Sequence, residues 1–358
     1  MWSRLSLARA LSYSFIIYTQ VIGSSSGSPM LRKPALGIQI FSSLILLLAV
    51  CESSVARGNL HENMRLLQFP TEYSVGSLGL LETTPGWTAK GKVLPIGEAR
   101  GLVKVPRDKL VKMFPGVQFY QHPQCLLKLP PDGIDYINLR FTAMADADES
   151  VSDRLIPYVH HLSGLKGIDL DQSETTDAGL AKLGTMPELR ALALAETLVT
   201  GKCLPQLTGC KKLEALRFGK GTIDNESLRD LKMFPQLAHL ELSRTNLSLR
   251  GLEHVSKCTK LRSLDINENS AIDDRAVPLL LKIPKLEHLY IKKTKISFAG
   301  VMQLSKMGLV KISLPLPFSK YSKAEQEQIQ KQFPHYRVKQ PKEAVDSYTE
   351  TMFGPMSR

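Results

Sequence analysis

No aspartate or glutamate occurs in the first 51 residues, although Arg4, Arg9, Arg32 and Lys33 do. A start so one-sided in charge reads as a targeting segment, outside the folded core. The apolar run from Ile38 to Val50 falls short of the roughly 20 residues that cross a bilayer, which favours a signal over a permanent span. Cysteine is scarce, with 5 among 358 residues, so no disulfide framework is implied and the redox compartment stays open. There is no phosphate-cradling glycine loop and no nucleophile beside a base. His122 and Cys125 in His-Pro-Gln-Cys lack the second pair that a zinc site needs. Asp146, Asp148 and Ser150 alternate as in a calcium loop, but without its glycine and distal glutamate. These absences point away from an enzyme, and no cofactor, metal, small-molecule substrate or specific nucleic-acid motif is expected.

What is present is an ordinary folded composition, 43% hydrophobic and 22% charged, with a net charge of +12 that favours acidic partners. Read from Met30, Arg32 and Lys33 precede the apolar stretch ending at Val50, and Cys51 follows. That is the order of a signal peptide, which makes the protein exported, in the cell envelope or secreted. Leu48-Ala49-Val50-Cys51 resembles the lipobox of bacterial lipoproteins, with Val50 where that motif has a small residue, so Cys51 is a candidate for lipidation. Cleavage after Ala56 is the rival, and organellar import is the alternative that the Arg- and Ser-containing start also fits. On this reading 1–51 is the targeting segment and 52–133 a linker and cap.

The phrase L-x-x-L-x-L begins at Leu165, Leu189, Leu213, Leu237, Leu261, Leu286 and Leu309, at spacings of 24, 24, 24, 24, 25 and 23 residues. Apolar residues at its first, fourth and sixth places alternate with variable ones, the period of a strand with one buried face. Ile168 and Leu170, Leu192 and Leu194, Leu216 and Phe218, Leu240 and Leu242, Leu264 and Ile266, and Leu289 and Ile291 should point inward. Eight residues after each start stand Ser173, Thr197, Gly221, Thr245, Asn269 and Thr294, small and mostly polar, suited to satisfying backbone groups where the chain leaves the strand. Thr176, Thr200, Asp224, Ser248, Asp273 and Ser297 follow, all of helix N-cap type, and apolar pairs such as Leu180 and Leu183 come next at helical spacing. A column of small residues, Gly179, Cys203, Ser227, Gly251, Ala276 and Gly300, should let adjacent helices approach. Cys210 and Cys258 share a column with Met186, Phe234, Ile283 and Met307 and read as core.

Each unit is therefore a strand followed by a short helix, and the chain resembles the leucine-rich repeat proteins over residues 134–338. The phrase Thr176-Asp177-Ala178-Gly179-Leu180, with Cys210 and Cys258 three places before the next leucine, resembles their cysteine-containing subclass, known from ubiquitin-ligase adaptors and many bacterial proteins. The subclass's second cysteine is replaced by Ser173, Thr197 and their equivalents, and no F-box-like segment precedes the repeats. The resemblance implies an α/β solenoid of right-handed strand-helix repeats with a parallel sheet on its concave face, and a general binding scaffold.

A degenerate copy starts at Ile134, with Ile137 and Leu139, making the repeats 134–316. Residues 317–358 form a C-terminal cap and tail, with a polar helix from Ser322 to Phe333 and a closing strand from Tyr336 to Val338. Ahead of the repeats, strands are expected at Lys92 to Ile96 and Leu102 to Val105, and a helix at Asp108 to Phe114.

Function then falls to the outward strand positions: Tyr136, Asn138, Arg140, Asp169, Asp171, Arg217, His239, Glu241, Ser243, Asp265, Asn267, His288, Tyr290 and Lys292. Ala191, Ala193 and Ala195 offer little beyond shape, whereas the His288, Tyr290 and Lys292 row has the character of an interface anchor. Lys282, Lys285, Lys292, Lys293 and Lys295, against Glu287 alone, form a patch for an acidic protein, a glycan or an anionic lipid surface. The expectation is a non-catalytic scaffold, exported or membrane-tethered, that binds a protein through its concave face. The alternative is an intracellular or organellar adaptor docked within a larger complex.

Overall fold

The computed structural model describes residues 63–81, 93–140 and 151–336, all within one compact unit, Asn63–Arg358. The acid-free start, Cys51, the acidic insertion at Asp146 and Asp148, and the closing strand beyond Tyr336 lie outside the described residues.

Five strands come first: β1 (Met64–Gln68), β2 (Gly76–Leu81), β3 (Leu94–Glu98), β4 (Leu102–Pro106) and β5 (Leu110–Pro115). The repeats then give one three-residue strand per phrase: β6 (Tyr136–Asn138), β7 (Gly167–Asp169), β8 (Ala191–Ala193), β9 (Ala215–Arg217), β10 (His239–Glu241), β11 (Ser263–Asp265), β12 (His288–Tyr290) and β13 (Lys311–Ser313). Strands β5 to β13 pair in parallel and in sequence order, and β2 and β3 extend the same 11-stranded sheet antiparallel at one end. The register is that of the phrase: Ile168, Leu192, Leu216, Leu240, Leu264, Leu289 and Ile312 stand abreast and are buried. One core runs the length of this leucine-rich repeat solenoid, each leucine contributing on the order of 1.5–3 kcal/mol by leaving water. Cys203, Cys210 and Cys258 belong to that core.

The expected N-caps hold for the helices α3 (Asp177–Ala181), α4 (Leu249–Val255) and α6 (Phe298–Leu304), which follow α1 (Val117–Gln121) and α2 (Val151–His161) and bracket α5 (Val277–Leu280). The side chains of Thr176, Ser248 and Ser297 accept the N–H of Gly179, Gly251 and Gly300 at 3.1, 3.2 and 3.3 Å. Asp273 accepts the N–H of Arg275 ahead of α5. Two expected helices are corrected to tighter 3-10 turns, Leu204–Gln206 after Thr200 and Ser227–Met233 after Asp224. In the first, Pro205 removes a backbone donor where an α-helix would need one.

A side chain near the start of one helix also reaches the N-cap of the next repeat. Asp153 accepts the N–H and hydroxyl of Thr176 at 2.9 and 2.6 Å, Asp177 those of Thr200 at 2.9 and 2.7 Å, and Asn225 those of Ser248 at 2.8 and 2.9 Å. Asp274 takes the N–H of Ser297 at 2.8 Å. This clamp explains the three glycines of the small column. A Cβ on Gly179, Gly251 or Gly300 would stand 1.8, 2.2 or 2.3 Å from the oxygen of Asp153, Asn225 or Asp274.

At the other end of the strand the polar column works as expected in four repeats. Thr197, Thr245 and Thr294 donate their hydroxyls to the carbonyls of Leu194, Leu242 and Ile291 at 2.7–2.8 Å. Asn269 donates to Leu242 and Ile266 and accepts from the N–H of Leu247 and Thr245. The residue just before this column turns left-handed in all six repeats, at Gln172, Glu196, Lys220, Arg244, Glu268 and Lys293, with φ between 54° and 61°. At four of the six the residue that follows, Thr197, Thr245, Asn269 or Thr294, donates from its side chain to the carbonyl three places back and holds the turn.

The N-terminal region departs from expectation. Residues 110–115 are β5, where a helix was expected. Val111 and Met113 are fully buried on one face, and the strand pairs with β2 on one side and β6 on the other, so the two-residue period wins. Strands β1 and β4 form a separate antiparallel pair. Arg65 on β1 bonds Asp135 at 2.9 Å, and Lys166 meets the same carboxylate. At the far end α7 (Lys323–Gln332) opens with a capping box between Ser322 and Glu325. Tyr321, Ile329 and Phe333 close the core there.

Candidate functional site

The side of the sheet turned away from the helices carries three outward side chains per repeat, and strand pairing aligns them into rows. From the N-terminal end the rows read Lys112 and Phe114; Tyr136, Asn138, Arg140; Gly167, Asp169, Asp171; Ala191, Ala193, Ala195; Ala215, Arg217, Gly219; His239, Glu241, Ser243; Ser263, Asp265, Asn267; His288, Tyr290, Lys292; Lys311, Ser313, Pro315. Every outward residue expected from the sequence takes its place in this grid. Their environments divide it in two.

The N-terminal half is filled by its own side chains. Arg217, 0% exposed, donates from Nη1 to Asp171 at 2.6 Å and from Nε to Glu241 at 3.0 Å. Asp171 lies two rows away, so the guanidinium crosses the alanine row. Ala193 and Ala195 supply room for it, which is what their small size does. Arg140 meets Asp169 at 2.8 Å and Asp171 at 3.4 Å, and Ser243 donates to Glu241 at 3.1 Å. A Cβ on Gly219 would stand 2.7 Å from the Glu241 carboxylate, so that position too is small to leave space. Tyr136 lies against Gly167, its ring 2.4 Å from where a Cβ would be. Leu81 and Tyr136 form an apolar cluster with Ala191, Ala193 and Ala215, and Val93 and Leu110 pack against it.

Charge inside this half is strongly tuned. Burial, and then the neighbouring Asp171, pushes the Asp169 carboxyl up to about 6 against the pull of Arg140. Burial also raises Glu241 and lowers Lys112. For Arg217, burial opposes the charged form, but Glu241 and Asp171 outweigh it and raise the guanidinium above its ordinary value. Such an array holds itself together, and each arginine is committed to carboxylates of this chain.

The C-terminal half differs. His239, Asp265, Asn267, His288 and Lys311 are half-buried, and Lys292 is exposed. The ring of Tyr290 is buried, with the Lys311 ammonium 5.1 Å from its centre. Lys311 occupies the column of His239 and His288, and carrying the outward columns into the seventh copy of the phrase would have found it. Lys112 escaped notice because its segment reads as a helix by sequence. Lys282, Lys285, Lys293 and Lys295 flank β12 and are exposed.

No protein-family model and no curated protein matches the chain. Among solved structures it is similar to an internalin C2 from Listeria monocytogenes, at 20% identity and a TM-score of 0.36, over 51% of this chain and 82% of that one. It is also similar to an internalin, inlF, from the same organism, at 18% identity and a TM-score of 0.33, over 53% of this chain and 63% of that one. The fold assignment rests on the repeat geometry itself.

Proposed function

We propose that this chain is a non-catalytic leucine-rich repeat scaffold that binds a protein through the C-terminal half of its concave face. The observation that carries this is the division of the face. Arg140, Asp169, Asp171, Arg217 and Glu241 are spent on one another, whereas His239, Asp265, Asn267, His288 and Lys292 keep accessible surface beside the Tyr290–Lys311 stack. Aromatic and cationic groups so placed suit an interface. Capture of a partner from envelope extract should be lost in the His288→Ala/Lys292→Ala protein. Undiminished capture would count against this face.

We also propose export, with the repeats over 134–316 set between a cap of 52–133 and a C-terminal cap and tail of 317–358. The support is the acid-free start and the apolar run before Cys51. Among the described residues no helix is long and apolar enough to cross a membrane. Mass spectrometry of the mature N-terminus distinguishes a diacylglyceryl group on Cys51 from cleavage after Ala56. Recovery as a soluble cytosolic species would instead favour the adaptor reading. We assign the repeats to the cysteine-containing subclass, supported by Cys210 and Cys258 in the core column of Met186, Phe234 and Ile283.

A further inference from the structure

Along the middle of the solenoid, surface charges meet opposite charges one repeat away. Glu188 and Lys212, and Arg190 and Glu214, lie at 2.6 Å; Glu196 and Lys220 at 2.5 Å; Arg244 and Glu268 at 2.7 Å. Glu226 and Arg250 lie at 3.1 Å, and Arg262 and Glu287 at 3.3 Å. At the C-terminal end this pairing runs out. Residues 282–323 hold nine lysines and one acidic residue, Glu287, and Arg262 already occupies that glutamate. Lys293 shares Glu268 with Arg244. Lys295 lies in the field of Asp273, which Arg275 already holds at 2.8 Å. Among the described residues no carboxylate comes within 4.0 Å of Lys282, Lys285 or Lys292.

These cations frame β12. Lys285 precedes it, Lys292 follows it in the outward row, and Lys311 stands one strand over, above Tyr290. We propose that the partner presents an acidic polypeptide segment, which lies across β12 and β13 with its carboxylates toward Lys285, Lys292 and Lys311. This rests on the reading of the face as a binding surface and adds the partner's chemical class. An extended segment carries same-side residues about 6.6 Å apart, so its alternate carboxylates can be offered to lysines spread over two neighbouring strands. A flat anionic bilayer reaches the exposed Lys282 and Lys285, but not Lys311, which is half-buried against an aromatic ring in the face of the sheet.

The test is fluorescence anisotropy of the purified protein with a short labelled peptide alternating Glu and Ser, and with its Gln counterpart. The Glu peptide should bind at least about tenfold more tightly, weaken with added salt, and lose about that factor again in Lys285→Glu/Lys292→Glu. Lys212→Glu, in the middle of the array, should leave it unchanged. Equal binding of the Glu and Gln peptides overturns the proposal. So does tighter binding of phosphatidylserine vesicles or a sulfated glycan that ignores Lys311→Ala, since the ligand class is then lipid or glycan. A captured protein partner lost in His288→Ala/Lys292→Ala but kept by Lys282→Glu/Lys285→Glu overturns the acidic class and leaves the face standing. One kept by both overturns the face.

Discussion

The cost of Gly251→Ala should depend on its neighbour in the preceding repeat. An added Cβ would stand 2.2 Å from Asn225 Oδ1, and 2.8 and 3.0 Å from the Cδ1 atoms of Leu247 and Leu228. The leucine tips can turn aside. The amide cannot move without releasing Ser248, whose N–H and hydroxyl reach it at 2.8 and 2.9 Å. Two hydrogen bonds at about 1 kcal/mol each are set against the roughly 1 kcal/mol by which alanine outranks glycine in a helix. The single variant is therefore expected to lose about 1 kcal/mol. With Asn225→Ala already in place only the two leucine tips have to shift, and the same substitution should range from neutral to a gain of about 1 kcal/mol. Urea unfolding of the four proteins, followed by far-ultraviolet circular dichroism, gives the coupling, expected at about 1–2 kcal/mol. An equal cost in both backgrounds, or a gain in the parent protein, would refute the clamp as the reason for glycine at this place.

Three further outcomes follow from the same geometry. Arg217→Met leaves Asp171 and Glu241 buried without their shared cation and should cost roughly 3–5 kcal/mol; Ala193→Leu, which fills the space the guanidinium crosses, should approach that cost, and two mild effects in denaturant titrations would contradict the crossing. Because the folded value of Asp169, about 6, lies above its ordinary 3.8, its contribution to stability is fully present below about pH 4 and lost as pH rises through 6. The stability difference between the parent protein and Asp169→Asn should therefore fall across that window, and a difference flat with pH would sink the assignment. Asn269→Ala removes five side-chain bonds to the backbone and should cost roughly 3–5 kcal/mol, against about 1 for Thr294→Val, which removes one; equal midpoint shifts would show that the Asn269 bonds are weak.

Much of the fold is legible in the sequence because the repeat multiplies each weak signal. A single Thr176 or Ser248 says little, but a column of cap residues at a fixed interval locates the helix starts, and four of the six expected caps hold as read. Where context overrides pattern, the reading slips. Pro205 tightens one expected helix into a 3-10 turn, and the pairing of β5 with β2 and β6 decides residues 110–115 in favour of a strand. The left-handed column at Gln172, Glu196, Lys220, Arg244, Glu268 and Lys293 has no residue-type signature: at four places the next side chain holds the turn, and Lys220 adopts it ahead of Gly221. The outward face is legible in position but not in state. Whether Arg217 faces a partner or spans the alanine row depends on Asp171, 46 residues earlier, and a one-repeat period does not reveal a two-repeat bond.

That bond also constrains how this array can change length. Stacked repeats normally touch only their neighbours, so units can be lost or copied with local consequences. Here removing the unit of Ala191 to Ala195 would bring Arg217 beside Asp171 with an extended side chain and too little room for it, and copying that unit would carry the carboxylate out of reach. Copy number is thus fixed in the N-terminal half of the solenoid. At the other end the Ser313 hydroxyl reaches Asn267 across the β12 repeat at 3.3 Å, a second span of two units, so duplications that preserve folding are expected only between Ser243 and Ser263, where the two spans meet.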